Sequence, residues 1–453
     1  MPIAKSGTQS AHQPSDLVQL AVIGGGPKAA AIAAKAWALR ERGQADIRVT
    51  IFEPETIGAY WSGKAGYTDG KQRLCTIAER DVGYPYNSMF GRDVDITMAS
   101  TFSWARFLQT RPAGYETGYS TWVDAGRKPP SHKHFADYLQ WVVSETSPQA
   151  KVEKQRVTRL TKERKRWQIG FLDGAGNQST YPIGFDAAIV TGPGPAKRVT
   201  MRNASGASSE KIFDGRNFWQ RSNDVLRCLK QAAKDSKYSE NAIVIIGAGG
   251  TAAAIFAWLV ANGAADLPIQ MVASQAALYT RVDSVFENQL FSDETQWSTL
   301  SSKSRRAFFD RLNRGVVWAT IMDRVSSASK FKMVDGRAKE IIVSSPADVE
   351  LEVLRGDGET VTLQASMLID CSGFDAWWFL SLIDGFPAVG AEKDRVRRER
   401  WQDRMRENLQ LHGTPWDVFP ALHAPMLSSK LGPGFGSLMV LGAMADRVLR
   451  TYR

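Results

Sequence analysis

The alternation of apolar and polar positions divides the chain into recurring strand–turn–helix units. Residues 20–23 are four consecutive apolar residues, a pattern that predicts a buried parallel strand. Gly24, Gly25 and Gly26 follow, and an Ala-rich run then predicts a helix. A second apolar strand at residues 48–52 ends in Glu53. Helical spacing returns at residues 101–110 (Phe102, Trp104, Phe107, Leu108) and at 132–145 (Phe135, Tyr138, Leu139, Val142). Residues 151–171 and 178–190 predict antiparallel strands with a turn at Asp173-Gly174, and the last of these runs into Thr191-Gly192. Residues 199–240 are polar and predict a connector with one helix. The opening unit then recurs as a strand at 242–246, the turn Gly247-Ala-Gly249-Gly-Thr251-Ala252, a helix from Ala253 and a strand at 269–272. Residues 281–294 carry no strand pattern and 297–328 predict helices. Strand patterning resumes at 339–353, 360–363 and 367–374. A glycine turn, Gly432-Pro-Gly434-Phe435-Gly436, precedes a helix predicted over 437–449.

The two glycine turns carry chemistry. In a dinucleotide fingerprint the first glycine makes the tight turn, the second admits a pyrophosphate to the backbone, and a third small residue lets helix pack on strand. Gly24, Gly26 and Ala29 hold those places in the first unit; Gly247, Gly249, Thr251 and Ala252 form the second. Glu53 suits hydrogen bonds to a free ribose 2′-hydroxyl, which assigns FAD to the first unit. The second unit's strand has no terminal acid. Ser274 and Arg281 suit a ribose 2′-phosphate, which assigns NADPH there. Two such units in this order signal a flavoprotein that takes hydride from a nicotinamide. Between them, the irregular stretch 57–85 carries Tyr60, Trp61 and Tyr67, aromatics able to wall a flat ring.

Composition narrows the class. The 453 residues suffice for two or three domains, and 43% are hydrophobic. No apolar run reaches membrane-spanning length without a charge or glycine break, so no stable membrane insertion is expected. Residues 1–17 are polar and predict a disordered tail without a signal-peptide core. The three cysteines, Cys75, Cys228 and Cys371, form no CxxC pair. That argues against a metal site or a redox-active disulfide and fits a cytoplasmic protein. The net charge of +10 includes basic runs at 162–166 and 395–400, but neither lies in a nucleic-acid-binding module. Disulfide reductases are excluded by the missing cysteine pair. Baeyer–Villiger enzymes are excluded because Phe213-Asp-Gly215-Arg-Asn-Phe-Trp219 lacks their linker histidine.

Several long stretches carry a resemblance: Gly66-Tyr-Thr-Asp-Gly70, Arg80-Asp-Val-Gly-Tyr-Pro-Tyr86, Trp122-Val-Asp-Ala-Gly-Arg127, Phe286-Glu-Asn-Gln-Leu-Phe-Ser-Asp293 and Gly432-Pro-Gly-Phe435. The chain resembles the class B flavin-dependent N-hydroxylating monooxygenases over about residues 18–449, in particular the lysine N6-hydroxylases of mycobactin- and nocobactin-type siderophore pathways. The resemblance implies an α/β protein with two Rossmann-like dinucleotide-binding domains and a small helical substrate-binding insertion. The FAD domain would take 18–198 and 366–453, the NADPH domain 199–285 and 330–365, and the insertion 286–329. It implies N-hydroxylation of the lysine side-chain amine through a flavin C4a-hydroperoxide with molecular oxygen, and a homo-oligomer. It also implies that Asn288 and Asn313 hold the substrate's α-groups; Trp61 among the aromatics of the irregular stretch, and Gly434 and Phe435 in the glycine turn before the last helix, suit contacts to the flavin by their own residue pattern. Arg80 stands where the family has a lysine for the α-carboxylate. This departure leaves ornithine or another primary amine open as substrate. An uncoupled NADPH oxidase is the alternative class. Two plainer readings also stand open: Asn288 as a helix cap, and Arg80 as a surface ion pair with Asp81 or Glu79.

Overall fold

The computed structural model describes residues 17–453 other than 65, 112–117, 174, 204–208, 235–240, 282–283, 313–315 and 388–390. Asn313, Gly174 of the expected Asp173-Gly174 turn and all but the last residue of the expected 1–17 tail lie outside the described residues. Strand β1 (Val18–Ile23) leads through the first glycine turn into helix α1 (Pro27–Glu41) and then β2 (Ile47–Phe52). β1 and β2 pair in parallel with Leu20 opposite Val49 and Ile23 opposite Phe52. Residues 29–34 of α1 have no accessible surface. Every one of them but Ile32 is alanine, and these small side chains let the helix lie close against the sheet on one side and other helices on the other.

A long stretch without strands carries α2 (Arg92–Phe102), α3 (Trp104–Gln109), α4 (Tyr119–Asp124) and α5 (His132–Glu145). β3 (Ala150–Glu153) then joins β2 in parallel. β4 (Val157–Glu163), β5 (Arg166–Leu172) and β6 (Gln178–Thr180) form a separate antiparallel sheet, and β7 (Ala187–Val190) returns beside β1. The single antiparallel run expected over 151–171 is therefore divided. Its first strand belongs to the parallel sheet, and the hairpin turns at Arg164, whose φ is +55°.

The polar stretch 199–240 holds more order than its composition predicts. β8 (Thr200–Asn203), β9 (Ile212–Asp214), α6 (Asn217–Gln220) and α7 (Ser222–Lys234) precede the second unit, β10 (Ala242–Ile246), α8 (Gly250–Leu259) and β11 (Ile269–Ala273). β12 (Tyr279–Arg281), α9 (Val285–Ser292), α10 (Glu294–Thr299), α11 (Ser302–Leu312), β13 (Val316–Trp318) and α12 (Ala319–Val325) follow, with β12 and β13 paired as a small two-stranded sheet. β14 (Phe331–Asp335), β15 (Arg337–Val343), β16 (Val349–Leu354) and β17 (Thr360–Asp370) complete the second sheet, ordered β14-β11-β10-β17-β16-β15-β8 with β9 also on β17. β17 changes character along its length. Residues 360–364 alternate and pair antiparallel with β16, whereas 365–370 are all buried and pair in parallel with β10. Helix α13 (Ala391–Asp403) follows, and β18 (Ala421–His423) then returns to the first sheet, giving the order β18-β7-β1-β2-β3. Helix α14 (Leu441–Leu449) ends the fold. It packs on α1, where the Lys35 ammonium meets Asp446 at 2.7 Å with both side chains buried.

Candidate active site

The first glycine turn is built against its neighbours on one side and open on the other. Gly24 has φ +101°, and a Cβ there would lie 2.9 Å from the Thr191 hydroxyl oxygen. That hydroxyl lies 3.1 Å from the Ile23 carbonyl and 2.9 Å from that of Gly24, which pins the turn to the end of β7. The Gly25 N–H donates to Glu53 Oε2 at 2.9 Å, and the Glu55 N–H donates to Oε1 at 3.0 Å. Glu53 is buried and closes the turn from within. A carboxylate has about four lone-pair sites, so both oxygens keep capacity for a ribose hydroxyl. At Gly26 a Cβ would meet nothing within 4 Å. Pro27 lacks an N–H, and the first bond of α1 runs from the Ala30 N–H to the Gly26 carbonyl. The N–H groups of Lys28 and Ala29 therefore precede the ladder, and no side chain caps them. Open donors over an unfilled glycine face fit the diphosphate of a dinucleotide. Ala29 itself has no accessible surface, in keeping with the small residue required there.

The irregular stretch is tied directly to this turn: the Gly58 N–H donates to the Gly25 carbonyl at 2.8 Å. Trp61 then packs edge-on to His132 (4.9 Å between centroids) and Phe135 (5.5 Å) of α5. Burial pushes His132 down to about 4, and its Nδ1 lies 2.8 Å from the Thr68 hydroxyl. Tyr60 and Tyr67 stack on each other at 5.3 Å, and Arg216 lies over the Tyr60 ring at 5.7 Å. The three aromatics thus fall into two groups, with Trp61 on α5 and the tyrosine pair facing Arg216 and Phe374.

Arg80 is buried, so the surface ion-pair reading fails. Its Nη1 lies 2.7 Å from Met439 Sδ, and its guanidinium stands 5.7 Å from the Tyr84 ring centroid. The neighbouring Asp81 spends its carboxylate elsewhere. It accepts from the Gly83 N–H at 3.0 Å, the Tyr86 hydroxyl at 2.7 Å and the Trp104 N–H at 2.9 Å. Burial pushes Asp81 up to about 6 against these bonds, which pull it down. The Tyr138 hydroxyl accepts from the Val82 N–H at 3.2 Å and donates to the Phe102 carbonyl at 2.7 Å. The loop carrying Arg80 is therefore fixed from both following residues.

Asn288 sits inside α9, partly buried, while Ser284 is that helix's cap and accepts from the Glu287 N–H. The helix-cap reading of Asn288 is thereby replaced. Gly434 joins the two substrate candidates. A Cβ on it would collide with Val440 and lie 3.0 Å from the Phe291 carbonyl, less than one turn beyond Asn288. Met439, beside Arg80, adjoins Val440. Phe435 is 2% exposed, with Arg447 over its ring at 5.7 Å. The expected helix over 437–449 begins only at Leu441, because the Ser437 N–H folds back to the Gly434 carbonyl at 3.0 Å.

In the second unit Gly247 has φ +92°, and a Cβ would run into the Cys371 carbonyl. Gly249 and Gly250 have nothing within 4 Å of a Cβ, so this turn also presents an open face, over the N-terminus of α8. Ala252 has no accessible surface, and the Thr251 methyl would lie 2.9 Å from a Cβ on Gly215. Ser274 is exposed beyond β11; Arg281 ends β12. Sequence reasoning passed over Gln275. Its amide Nε2 is buried without a hydrogen-bond partner among the described residues, so it is a free donor beside Ser274. Among the described residues there is no cluster able to hold a metal ion and no helix long and apolar enough to cross a membrane.

The pattern that defines L-lysine 6-monooxygenase/L-ornithine 5-monooxygenase matches residues 98–367. The chain is 31% identical over 436 residues to the L-lysine N6-monooxygenase MbtG of Mycobacterium tuberculosis, covering 95% of this chain and 94% of that protein. The chain belongs to the L-lysine 6-monooxygenase/L-ornithine 5-monooxygenase family. Family likeness extends to the structure of the lysine monooxygenase NbtG from Nocardia farcinica, with a TM-score of 0.73 at 27% identity over 95% of this chain and 100% of that one. The ornithine N-hydroxylase KtzI of Kutzneria sp. 744 shares the fold, with a TM-score of 0.69 at 16% identity over 96% and 99% of the two chains. The architecture is that of a two-Rossmann monooxygenase.

Proposed function

We propose that this family member is an FAD- and NADPH-dependent L-lysine N6-monooxygenase. The observation that carries the substrate half is the buried Arg80 guanidinium, joined through Met439 and the 434–440 segment to the helix bearing Asn288. The choice of lysine is supported by the chain-long identity to proteins named L-lysine N6-monooxygenase. FAD would lie on the open face of the Gly24–Gly26 turn, with Glu53 at its ribose and Trp61, Gly434 and Phe435 nearby. NADPH would lie at Gly247, Gly249, Thr251 and Ala252, with Ser274, Gln275 and Arg281 for the 2′-phosphate. Bound FAD, reduced by NADPH, supplies the activation of oxygen.

The protein's own part is positioning and desolvation. The planar fork of Arg80 matches a carboxylate in two parallel hydrogen bonds. Asn288 offers an amide to the α-amino and carboxylate end, and Asn313 is the second polar residue of this role. Holding the amino acid by its α-groups leaves side-chain length to decide which nitrogen reaches the reacting centre. Asp81 keeps Arg80 in place through the fixed loop. Desolvation of the terminal amine in the enclosed site disfavours its charged form, which favours loss of its proton. One methylene separates lysine from ornithine, a difference of about 1–3 kcal/mol in a fitted pocket. Hydroxylamine formation coupled to NADPH oxidation, compared for lysine and ornithine, tests the reading. Turnover that yields only peroxide with both would overturn it.

A further inference from the structure

Lys28 is 7% exposed, and among the described residues it has no hydrogen bond and no ion pair. Burial alone lowers it to about 8; no neighbouring charge contributes. Its helix mate Lys35, two turns further on the same face, is also buried but is matched by Asp446 of α14. A buried cation without a counter-charge is unfavourable by itself, because desolvation penalises the ammonium and nothing compensates it. Lys28 lies in the first turn of α1, where its own N–H and that of Ala29 precede the helix ladder and Gly26 leaves an open face. Three features therefore coincide within a few residues: unpaired backbone donors, a helix N-terminus, and a lysine whose stem is buried and which has no partner among the described residues.

We infer that Lys28 is the counter-ion of the dinucleotide diphosphate held at the N-terminus of α1, a charge the FAD-free protein leaves uncompensated. The inference rests on the FAD reading above and adds to it a side chain at a variable position of the fingerprint, whose residue type the fingerprint does not specify. Lysine suits the place as a compact point charge on a flexible stem, able to meet a phosphate oxygen without a fixed fork geometry.

The test uses the full chain with Lys28→Met, which keeps the stem's bulk and removes the charge, and Lys28→Arg, which restores it. FAD affinity is read by flavin fluorescence, riboflavin affinity by the same titration, and thermal unfolding is followed with and without FAD. Wild-type binding of FAD tests the underlying reading independently of the variants. With that binding in hand, Lys28→Met is expected to weaken FAD about ten- to a hundredfold. Riboflavin, which lacks phosphates, should bind as before. The FAD-free variant should melt no lower than wild type, since an unpaired buried charge is gone, while its gain in melting temperature on adding FAD shrinks. Lys28→Arg should recover part of the affinity. Unchanged FAD affinity in Lys28→Met would overturn the inference. So would an equal loss for riboflavin, or a lower melting temperature of the FAD-free variant with a normal FAD-induced gain, because each marks Lys28 as structural only.

Discussion

Gly24 and Gly26 are two residues apart in one turn, yet alanine should act on them in opposite ways. Gly24 sits at φ +101°, where an L side chain is strained, and its new Cβ would lie 2.9 Å from the Thr191 hydroxyl oxygen. The backbone strain costs about 1–3 kcal/mol. Displacing Thr191 from its contacts with Ile23 and Gly24 costs roughly 0.5–1.5 kcal/mol for each bond lost. Gly24→Ala should therefore destabilise the FAD-free protein by about 2–5 kcal/mol, a large share of a typical folding free energy. Gly26 has φ −89° and ψ −169°, extended backbone open to any residue, and its Cβ would meet nothing within 4 Å. Alanine there stiffens the unfolded chain, worth about 0.4–1 kcal/mol, and gives back a similar amount as a poorer helix cap. The net change in stability should stay within about 1 kcal/mol of zero. The same methyl, however, occupies the face on which the diphosphate must approach the Lys28 and Ala29 N–H groups. Losing one or two charge-assisted bonds should weaken FAD at least about tenfold. Thermal unfolding of the FAD-free variants and flavin fluorescence titration measure the two effects separately. A Gly26→Ala protein with wild-type FAD affinity would refute the placement of the dinucleotide over this turn, and a Gly24→Ala protein of wild-type stability would refute the strain argument.

Other expectations follow from single contacts. Arg80→Ala should raise KM for the amino acid by tenfold or more, the worth of a charge-assisted bond, while FAD affinity stays unchanged; steady-state kinetics with flavin titration checks both. Lys35→Met strands the buried Asp446, which burial already pushes above the ordinary carboxylate range, and should cost about 3–5 kcal/mol in urea unfolding. The double variant Lys35→Met with Asp446→Leu should recover much of that loss. Gln275→Ala should raise KM for NADPH more than for NADH if its free amide donor meets the 2′-phosphate. Asp81 is raised from 3.8 to about 6, so the folded protein binds this proton more tightly than the unfolded chain. Its contribution is complete below about pH 4 and is lost as pH rises through about 6. Asp81→Asn should remove that component from a urea-stability profile between pH 4 and 7.

Much of the architecture was readable because it rests on continuous apolar runs. β1, β2, β10 and β11 are buried on both faces, and their glycine turns sit where strand meets helix. β8 and β9 were missed for the converse reason. β8 is exposed along its whole length, and each strand is only three or four residues long, so neither leaves an apolar period. The hairpin at Arg164 was missed because a charged residue adopts φ +55° there, a turn signal normally carried by glycine or asparagine. At the site, Gly24 and Gly247 were legible because positive φ and close approach demand glycine, and Gly26 because the fingerprint calls for an open face at that place. The position of Glu53 at the end of β2 could be read from the apolar run before it, but its bonds to the Gly25 and Glu55 N–H groups depend on tertiary approach and left no local mark. For Arg80 the sequence left a carboxylate-binding role and a surface ion pair both open; only the fold, with Met439 against its guanidinium, shows that it is buried. Lys28 fills a variable position of the fingerprint and Gln275 belongs to no motif; what distinguishes them is the lack of a partner among the described residues.

The most direct measurement is mass spectrometry of the amino-acid product formed under ¹⁸O₂ from lysine and from ornithine, with NADPH and FAD present. The expected product is lysine carrying one labelled oxygen on its side-chain nitrogen, formed in step with NADPH oxidation and in excess over any ornithine product. NADPH consumption with peroxide as the sole product, or labelled ornithine without labelled lysine, would contradict the assignment.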